Sequence, residues 1–227
     1  MKTNRKIFLL MALAMLLGAG LWLTGCESDT VAPHDNLPEL TNEDKAYQAA
    51  AMGAAAGRVL PQIVEYTGNK NEYTYNFPSQ GSDVTGTIYF DFRMGSATGA
   101  PAAYDAATWG NMYSAVDEPI SFAVGQGGSV EVDFNIIASL VQETHTATLL
   151  EGSAGTFTAG DYSATFAFDG VVVTAGESYP SGGIMTFVSG GTVLIVTFDG
   201  DNTATISLNG VVTWILNLDD GTISEVG

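Results

Sequence analysis

The stretch TATISLNGVVTWILNL, which spans Thr203 to Leu218, places two β-branched and apolar runs on either side of an Asn-Gly pair. A two-residue Asn-Gly loop favours a type I′ hairpin, because both of its positions accept positive φ. The stretch therefore predicts two antiparallel strands, Thr203–Leu208 and Val211–Leu218. An uninterrupted hairpin pairs Leu208 with Val211, Ile206 with Thr213 and Ala204 with Ile215 on one face, and Thr205 with Trp214 on the other.

The same period of two recurs along most of the chain from Glu72 onward. Apolar residues at alternate positions from Ile88 to Met94 and from Val130 to Ile136 are typical of half-buried strands. Asp169-Gly170 predicts a second tight hairpin, between Ala164–Phe168 and Val171–Thr174. The other predicted strands are Glu72–Phe77, Ile120–Val124, Thr144–Leu150, Tyr162–Phe168, Gly183–Val188 and Thr192–Phe198.

One helix precedes the strands. Thr41 is a predicted N-cap followed by acids, and the helix runs through Ala46 to about Leu60. Pro61 either ends it there or kinks it, in which case it resumes through Ile63 and Val64. Gly53 and Gly57 lie four residues apart on one face, which indicates close packing against another backbone. Dimerisation in a membrane through this face is the alternative, but the flanking charges make the segment a poor membrane span.

These patterns predict a mainly β fold, an antiparallel β-sandwich or barrel of about 9–11 strands with one N-terminal α-helix packed across a face or an open end. The segment from Gly99 to Pro119 fits no single element. Trp109, Met112 and Tyr113 have helical spacing, yet the surrounding small and polar residues also suit a long loop.

The chain begins with a basic segment and a long uncharged apolar run that ends in Leu23-Thr24-Gly25-Cys26. A charged start followed by an apolar stretch is typical of an export signal. The last four residues resemble the lipobox of bacterial lipoproteins. The resemblance implies that Leu23, Thr24 and Gly25 are recognised by a signal peptidase, and that Cys26 carries a diacylglycerol thioether and an amino-terminal acyl group. An uncleaved membrane anchor is the alternative.

The resemblance divides the chain into a signal peptide (1–25), a flexible tether (26–40) and a single helix-plus-β domain (41–227). The tether contains two prolines and several acids without a hydrophobic period. The implied location is the cell envelope, at the outer membrane, since Glu27 rather than Asp follows Cys26. The partner implied by the lipid is the membrane itself.

The charge balance is strongly acidic, with 7 Lys and Arg against 25 Asp and Glu and a formal net charge of −18. Without Lys2, Arg5 and Lys6 the basic count falls from 7 to 4, and the formal charge becomes −21. Such a surface repels phosphates, so we expect no binding of nucleic acid. The chain contains 1 cysteine, so with Cys26 lipidated no thiol remains for catalysis, disulfides or metal ligation.

Catalytic chemistry has little support in the sequence. The chain contains 2 histidines, and His34 lies in the tether while His145 lies in a predicted strand. A serine triad therefore has few ways to form, and no catalytic residue is assigned. Adjacent carboxylates at Asp117-Glu118 and Asp219-Asp220 could in principle support glycoside hydrolysis. However, adjacent residues in a strand point to opposite faces.

Two further sets of residues are binding candidates. The turns around Asp199, Asp201, Asp219 and Asp220 could offer oxygen ligands to calcium, although neither follows the EF-hand spacing. Tyr104, Trp109 and Tyr113 form an aromatic set in the Gly99 to Pro119 segment. Such a set could stack on sugars, cover an apolar pocket or seal the end of a β-domain.

The sequence therefore leads to a lipid-anchored envelope protein acting as a non-enzymatic binding or structural module, without a cofactor unless calcium binds. A lipocalin-like carrier of a small apolar ligand is the second hypothesis, and a hydrolase is the third. Large apolar residues at inward positions such as Phe90, Phe134 and Trp214 favour a filled core over a carrier.

Overall fold

A computed structural model of the chain describes residues 38–65, 72–76, 86–115, 119–124 and 128–226. Contacts divide the chain into two units, Met1–Glu39 and Leu40–Gly227, and the second unit is treated below. Leu23, Thr24, Gly25 and Cys26, which resemble a lipobox, lie outside the described residues, as do His34, Asp117, Glu118 and most of the predicted tether.

The predicted helix, α1, spans Asn42–Val59. The Thr41 hydroxyl accepts a hydrogen bond from the Asp44 backbone N–H at 3.1 Å, and the Asp44 carboxylate accepts one from the Thr41 N–H at 2.9 Å. These two bonds form a capping box, which satisfies two N–H groups that the first helical turn leaves free. The helix stops before Pro61, and a single further turn, α2, spans Gln62–Glu65.

The described strands are all antiparallel to their neighbours and belong to one sheet. They are β1 (Glu72–Asn76), β2 (Thr87–Arg93), β3 (Trp109–Ser114), β4 (Ile120–Val124), β5 (Gly128–Val141), β6 (Thr146–Leu149), β7 (Ala154–Ala159), β8 (Tyr162–Thr174), β9 (Gly182–Ser189), β10 (Thr192–Phe198), β11 (Thr203–Leu208), β12 (Val211–Asn217) and β13 (Ile223–Glu225).

The two longest strands, β5 and β8, each pair with several shorter strands. β3 and β4 lie end to end along one edge of β5, while β7 and β6 lie end to end between β5 and β8. From β8 the sheet continues strand by strand through β9, β10, β11 and β12 to β13. The fold is mainly antiparallel β with one long helix, as predicted. The 13 strands of the described residues exceed the predicted range because β3, β7 and β13 were not foreseen.

Alternation of buried and exposed residues holds in the strands that were predicted from it. In β2, Ile88, Phe90 and Phe92 are buried, while the residues between them are partly exposed. The extension of this pattern to Met94 was wrong, because β2 ends at Arg93 and the Met94 side chain is 47% exposed.

The predicted hairpin at Asp169-Gly170 was also wrong. β8 runs straight through this pair, and its second half pairs with β6 instead of folding back on the first half. Gly170 has a φ of 60°, and the pairing with β9 shifts after Asp169, which together mark a β-bulge. Before the bulge the even-numbered residues Phe166 and Phe168 are buried, and after it the odd-numbered residues Val171 and Val173 are buried. The additional residue therefore keeps apolar side chains of both halves of β8 in the core.

The hairpin at Asn209-Gly210 forms with the predicted positive φ values of 54° and 79°. Its register is correct at Leu208 and Val211, but a bulge at Thr213 shifts every later pair by one. The physical reason is burial, since a one-residue slip turns each side chain to the opposite face. The observed pairs are Ile206 with Trp214, Thr205 with Ile215 and Ala204 with Leu216.

α1 lies within the curve of this sheet rather than across an outer face. A β-carbon added to Gly53 would meet Leu216 and Val196, from β12 and β10. Other α1 side chains share a cavity wall with residues of β5 and β8. Because both groups of strands belong to one sheet, the sheet must bend around the helix. The helix packs on the sheet as expected, but the predicted close approach to another backbone was wrong, because the atoms nearest to Gly53 and Gly57 belong to side chains.

Candidate functional site

The buried apolar side chains of the described residues form one core cluster. Where α1 meets β5 and β8 there is a cavity of about 10 Å³, lined only by apolar side chains such as Met52, Phe134 and Phe168. A drug-sized ligand needs a pocket of roughly 300–1,000 Å³. This cavity is therefore about large enough for one water molecule, and its apolar wall offers that water no hydrogen bond.

In its described part, residues 99–115 and 119, the Gly99 to Pro119 segment is neither a helix nor a long loop. This part contains one 3₁₀ turn, Tyr104–Ala106, and then the strand β3, which pairs with both β2 and β5. The helical spacing of Trp109, Met112 and Tyr113 is thus overridden by pairing on both edges of the strand.

The structure separates the aromatic binding candidates. Tyr104 is buried, packs edge to face on Phe92 at 5.3 Å between ring centroids, and donates a hydrogen bond to the Val64 carbonyl at 3.0 Å. Trp109 and Tyr113 lie on the opposite face of the sheet, because Trp109 pairs with the residue after Phe92. The Tyr104 ring therefore joins the core to α2, and it does not form one platform with the other two.

The outer face of β2 and β3 carries a polar and aromatic group that sequence reasoning did not find. Tyr89 and Tyr113 stack with their centroids 5.4 Å apart, and the Arg93 guanidinium contacts the Asp91 carboxylate at 2.8 Å. Asn111 lies beside Asp91 in the sheet, and its side-chain oxygen is buried without a hydrogen bond. The strand register brings these residues together, and no local sequence pattern indicates β3.

The two acidic turns proposed for calcium are neighbours in space. The Leu218 N–H donates to the Asn202 carbonyl at 2.8 Å, which joins the β10–β11 turn to the β12–β13 turn. Among the described residues, no group of three or more His, Cys, Asp or Glu side chains is arranged to hold a metal ion.

Each candidate calcium ligand but one accepts a hydrogen bond from its own or the neighbouring turn. Asp199 accepts from a backbone N–H at 3.3 Å, and Asp220 accepts from Thr222 at 2.7 and 2.9 Å. Asp219 accepts from the Asn202 side-chain amide at 3.4 Å and also from the Tyr179 hydroxyl, which lies between β8 and β9. Asp201 supplies the backbone N–H that Asp199 binds. These bonds are those expected of turn-forming aspartates.

His145 was predicted to lie in a strand, and this prediction was wrong. It occupies the turn between β5 and β6 with a φ of 49°, and β6 begins one residue later. Its backbone N–H donates to the Gln142 carbonyl at 3.3 Å, so the residue closes this turn.

Lys45 is a buried cation that the sequence did not single out. Only 4% of it is exposed, and its ammonium donates to the Thr192 hydroxyl at 2.9 Å. Its aliphatic stem packs beside Gly190, so the charged group lies at the turn between β9 and β10. Its burial could have been predicted from its position four residues before Ala49, because residues with this spacing share one face of a helix.

Two tyrosines have pKa values raised above the ordinary 10.0. Burial is the main cause for Tyr104, and the negative charge of Asp105 adds to it. Burial also leads for Tyr47, followed by the charges of Glu43 and other nearby acids. Both hydroxyls are therefore held in the neutral form, which does not favour a role as a base at neutral pH.

No protein-family model, curated protein or solved structure matches this chain. Among the described residues, no helix has the length and apolar character needed to cross a bilayer.

Proposed function

We propose that the chain is an exported lipoprotein of the bacterial cell envelope, whose folded region is a non-enzymatic binding or structural module. The proposal for export and anchoring rests on the lipobox-like sequence Leu23 to Cys26 behind a basic and apolar segment. A compact unit beginning at Leu40 is compatible with a short tether between Cys26 and the fold.

The observation that carries the proposal for the folded region is its filled interior. α1 occupies the space that the curved sheet encloses, and residues such as Ala46, Ala50 and Leu60 are almost fully buried. The cavity of about 10 Å³ beside Met52 leaves no room for an apolar ligand of ordinary size. This favours a function on the outer surface over a lipocalin-like carrier.

The polar side chains of the core region also support a structural role. The Ser114 hydroxyl donates to the Asp133 carboxylate and accepts a hydrogen bond from the Phe134 N–H at 3.0 Å. Ser153 accepts from the Ile137 N–H at 3.0 Å and donates to its carbonyl at 2.8 Å. Both serines satisfy backbone groups at interruptions of the ladder, where unpaired groups would destabilise the fold.

Metabolic labelling tests the anchor directly. Cells grown with an alkyne analogue of palmitate should label the wild-type chain, while Cys26→Ala should lose the label because the thioether and the processed amino terminus no longer form. Ser28→Ala is the matched control, since it changes a nearby tether residue outside the lipobox and should label normally. Unchanged labelling of Cys26→Ala would remove the basis for the anchor.

The outer membrane is the proposed location, and density-gradient separation of the two membranes tests it. The labelled chain should co-migrate with outer-membrane markers. Recovery of the label with the inner membrane would refute this location but leave the lipid anchor in place.

A further inference from the structure

The start of α1 and two glycine-containing turns lie at one end of the sheet. The Lys45 ammonium reaches the Thr192 hydroxyl at 2.9 Å, beside the Gly190-Gly191 turn between β9 and β10. The Asn209-Gly210 turn between β11 and β12 lies at the same end, because successive strands are antiparallel. We call this end the helix-start end.

Apolar side chains cluster on the outer face of the sheet near the helix-start end. Val193 of β10 lies opposite Val188 of β9, while Ile195 and Val212 both lie opposite Ser207 of β11. The side chains of Val193 and Val212 are 45% and 44% exposed. We call Val188, Val193, Ile195 and Val212 the valine patch.

The strands that carry the valine patch contain no charged residue. The sequences of β9, β10, β11 and β12 include no Asp, Glu, Lys or Arg, although the whole chain has a formal charge of −18. In contrast, β2 and β5 place Asp91, Arg93, Glu131 and Asp133 on their partly or fully exposed face. Ser207 separates Val212 from Ile195, so the valine patch consists of apolar side chains around a small polar one. Exposed apolar side chains on a face without charge are typical of an interaction site.

We propose that the valine patch rests on the surface of the lipid bilayer that holds the Cys26 anchor, a proposal that depends on the lipoprotein function above. Residues 27–40 are 14 residues long and can reach at most about 50 Å even when fully extended, so an anchor on Cys26 limits how far the helix-start end can move from the lipid. An acidic domain is repelled by anionic headgroups, so a face without charge is the one that can make contact. Glu43 and Asp44 disfavour contact through the start of α1 itself.

This contact defines an orientation for the domain. The acidic turns at Asp199–Asn202 and Asp219–Gly221 connect the far ends of the same strands, so they point away from the bilayer. Because apolar contact rather than charge attraction holds the patch, raising the ionic strength should not release it.

Site-directed fluorescence on the full lipidated chain tests the proposal. With the Cys26 sulfur consumed by lipid, a single introduced cysteine can carry a dye at Val193→Cys or Val212→Cys. Val141→Cys is the matched control, because Val141 is 46% exposed but lies at the far end of β5. Each labelled chain is reconstituted into phosphatidylcholine vesicles that contain nitroxide-labelled lipid.

An apolar contact that enters the interface lies about 5–10 Å below its surface, so lipid nitroxides should quench the dye at positions 193 and 212 at least about twofold more than at 141. Equal quenching at all three positions, with the chain still bound to vesicles, would overturn the patch contact and leave the anchor intact. A dye that is shielded from solvent but not quenched, together with disulfide formation between copies of the unlabelled Val193→Cys chain on oxidation, would identify a second copy as the occupant and also overturn the proposal. A chain that does not bind vesicles at all would refute the lipoprotein function and the contact together.

Discussion

The two glycines of α1 differ sharply in their surroundings, and this difference gives a matched pair of substitutions. A β-carbon at Gly53 would lie 2.9 Å from the Leu216 side chain and 3.4 Å from Val196, whereas one at Gly57 would lie 3.8 Å from Leu218. The first distance is shorter than a normal carbon contact, and the last is an ordinary one. Gly53→Ala and Gly57→Ala therefore add the same methyl group to a crowded site and an open one.

The expected free energies follow from two opposing effects. Replacing a helical glycine with alanine gains about 0.8–1 kcal/mol of helix propensity at either site. Overpacking a filled core costs about 1–3 kcal/mol, and at Gly53 the obstructing Leu216 is fully buried. We expect Gly57→Ala to raise the free energy of unfolding by about 1 kcal/mol. The free energy of unfolding of Gly53→Ala should be about 1–3 kcal/mol lower than that of Gly57→Ala.

Equilibrium urea unfolding followed by circular dichroism measures both variants against the wild type. A difference of this size corresponds to roughly 2–4 °C in melting temperature per kcal/mol for a domain of this length, so thermal unfolding provides a second readout. Equal stabilisation by the two substitutions, or a more stable Gly53→Ala, would refute the packing of α1 against β10 and β12.

Three other substitutions test separate parts of the fold. Gly183 has a φ of 92° and its added β-carbon would lie 2.4 Å from the Val171 backbone, so Gly183→Ala should lower the free energy of unfolding by about 3 kcal/mol or more, while Gly182→Ala, with nothing within 4 Å, should change it little. Thr41→Ala removes the capping box of α1 and should cost about 1 kcal/mol in urea unfolding; no loss would show that the cap does not hold the helix. Tyr104→Phe removes a buried hydrogen bond and should cost about 1 kcal/mol at neutral pH. Because the raised pKa of Tyr104 favours the neutral hydroxyl in the folded state, its contribution is complete below pH 10.0 and is lost as the pH rises through the folded pKa, so stability measured above pH 10.0 should fall less steeply in Tyr104→Phe than in the wild type.

Helix ends, most strands and one turn were predicted correctly because neighbouring residues in the sequence determine them. Thr41 and Pro61 marked the two ends of α1, and period-two alternation located most strands, including Thr192–Phe198 and Thr203–Leu208 to the residue. The Asn209-Gly210 turn formed as predicted because both of its residues accept positive φ and the strands on either side of it pair with each other.

Long-range pairing decided what the sequence could not. Asp169-Gly170 has the same turn chemistry as Asn209-Gly210, yet it forms a bulge because β8 pairs with β7 along one half and β6 along the other. Trp109 to Ser114 became a strand because β2 and β5 offered it partners on both edges. Neither outcome is visible in a local window, since each depends on residues distant in the chain.

Some of the candidate site residues were also predictable from local sequence, whereas others depend on long-range pairing. The turn aspartates were found because turns need them, and the structure adds that the turns of Asp199 and Asp219 are adjacent. The burial of Lys45 and the charge-free outer face near Val193 depend on which strands meet α1 and on how the sheet curves. A single sequence carries no direct record of either arrangement.

Native mass spectrometry of the protein isolated from membranes of its own host tests the central claim most directly. We predict a chain that begins at Cys26, carries a diacylglyceryl thioether and an amino-terminal acyl group, and retains no other small molecule under non-denaturing conditions. A chain with an intact signal segment would contradict the lipid anchor. A further apolar molecule that is released only on denaturation would contradict the filled interior and restore the carrier hypothesis.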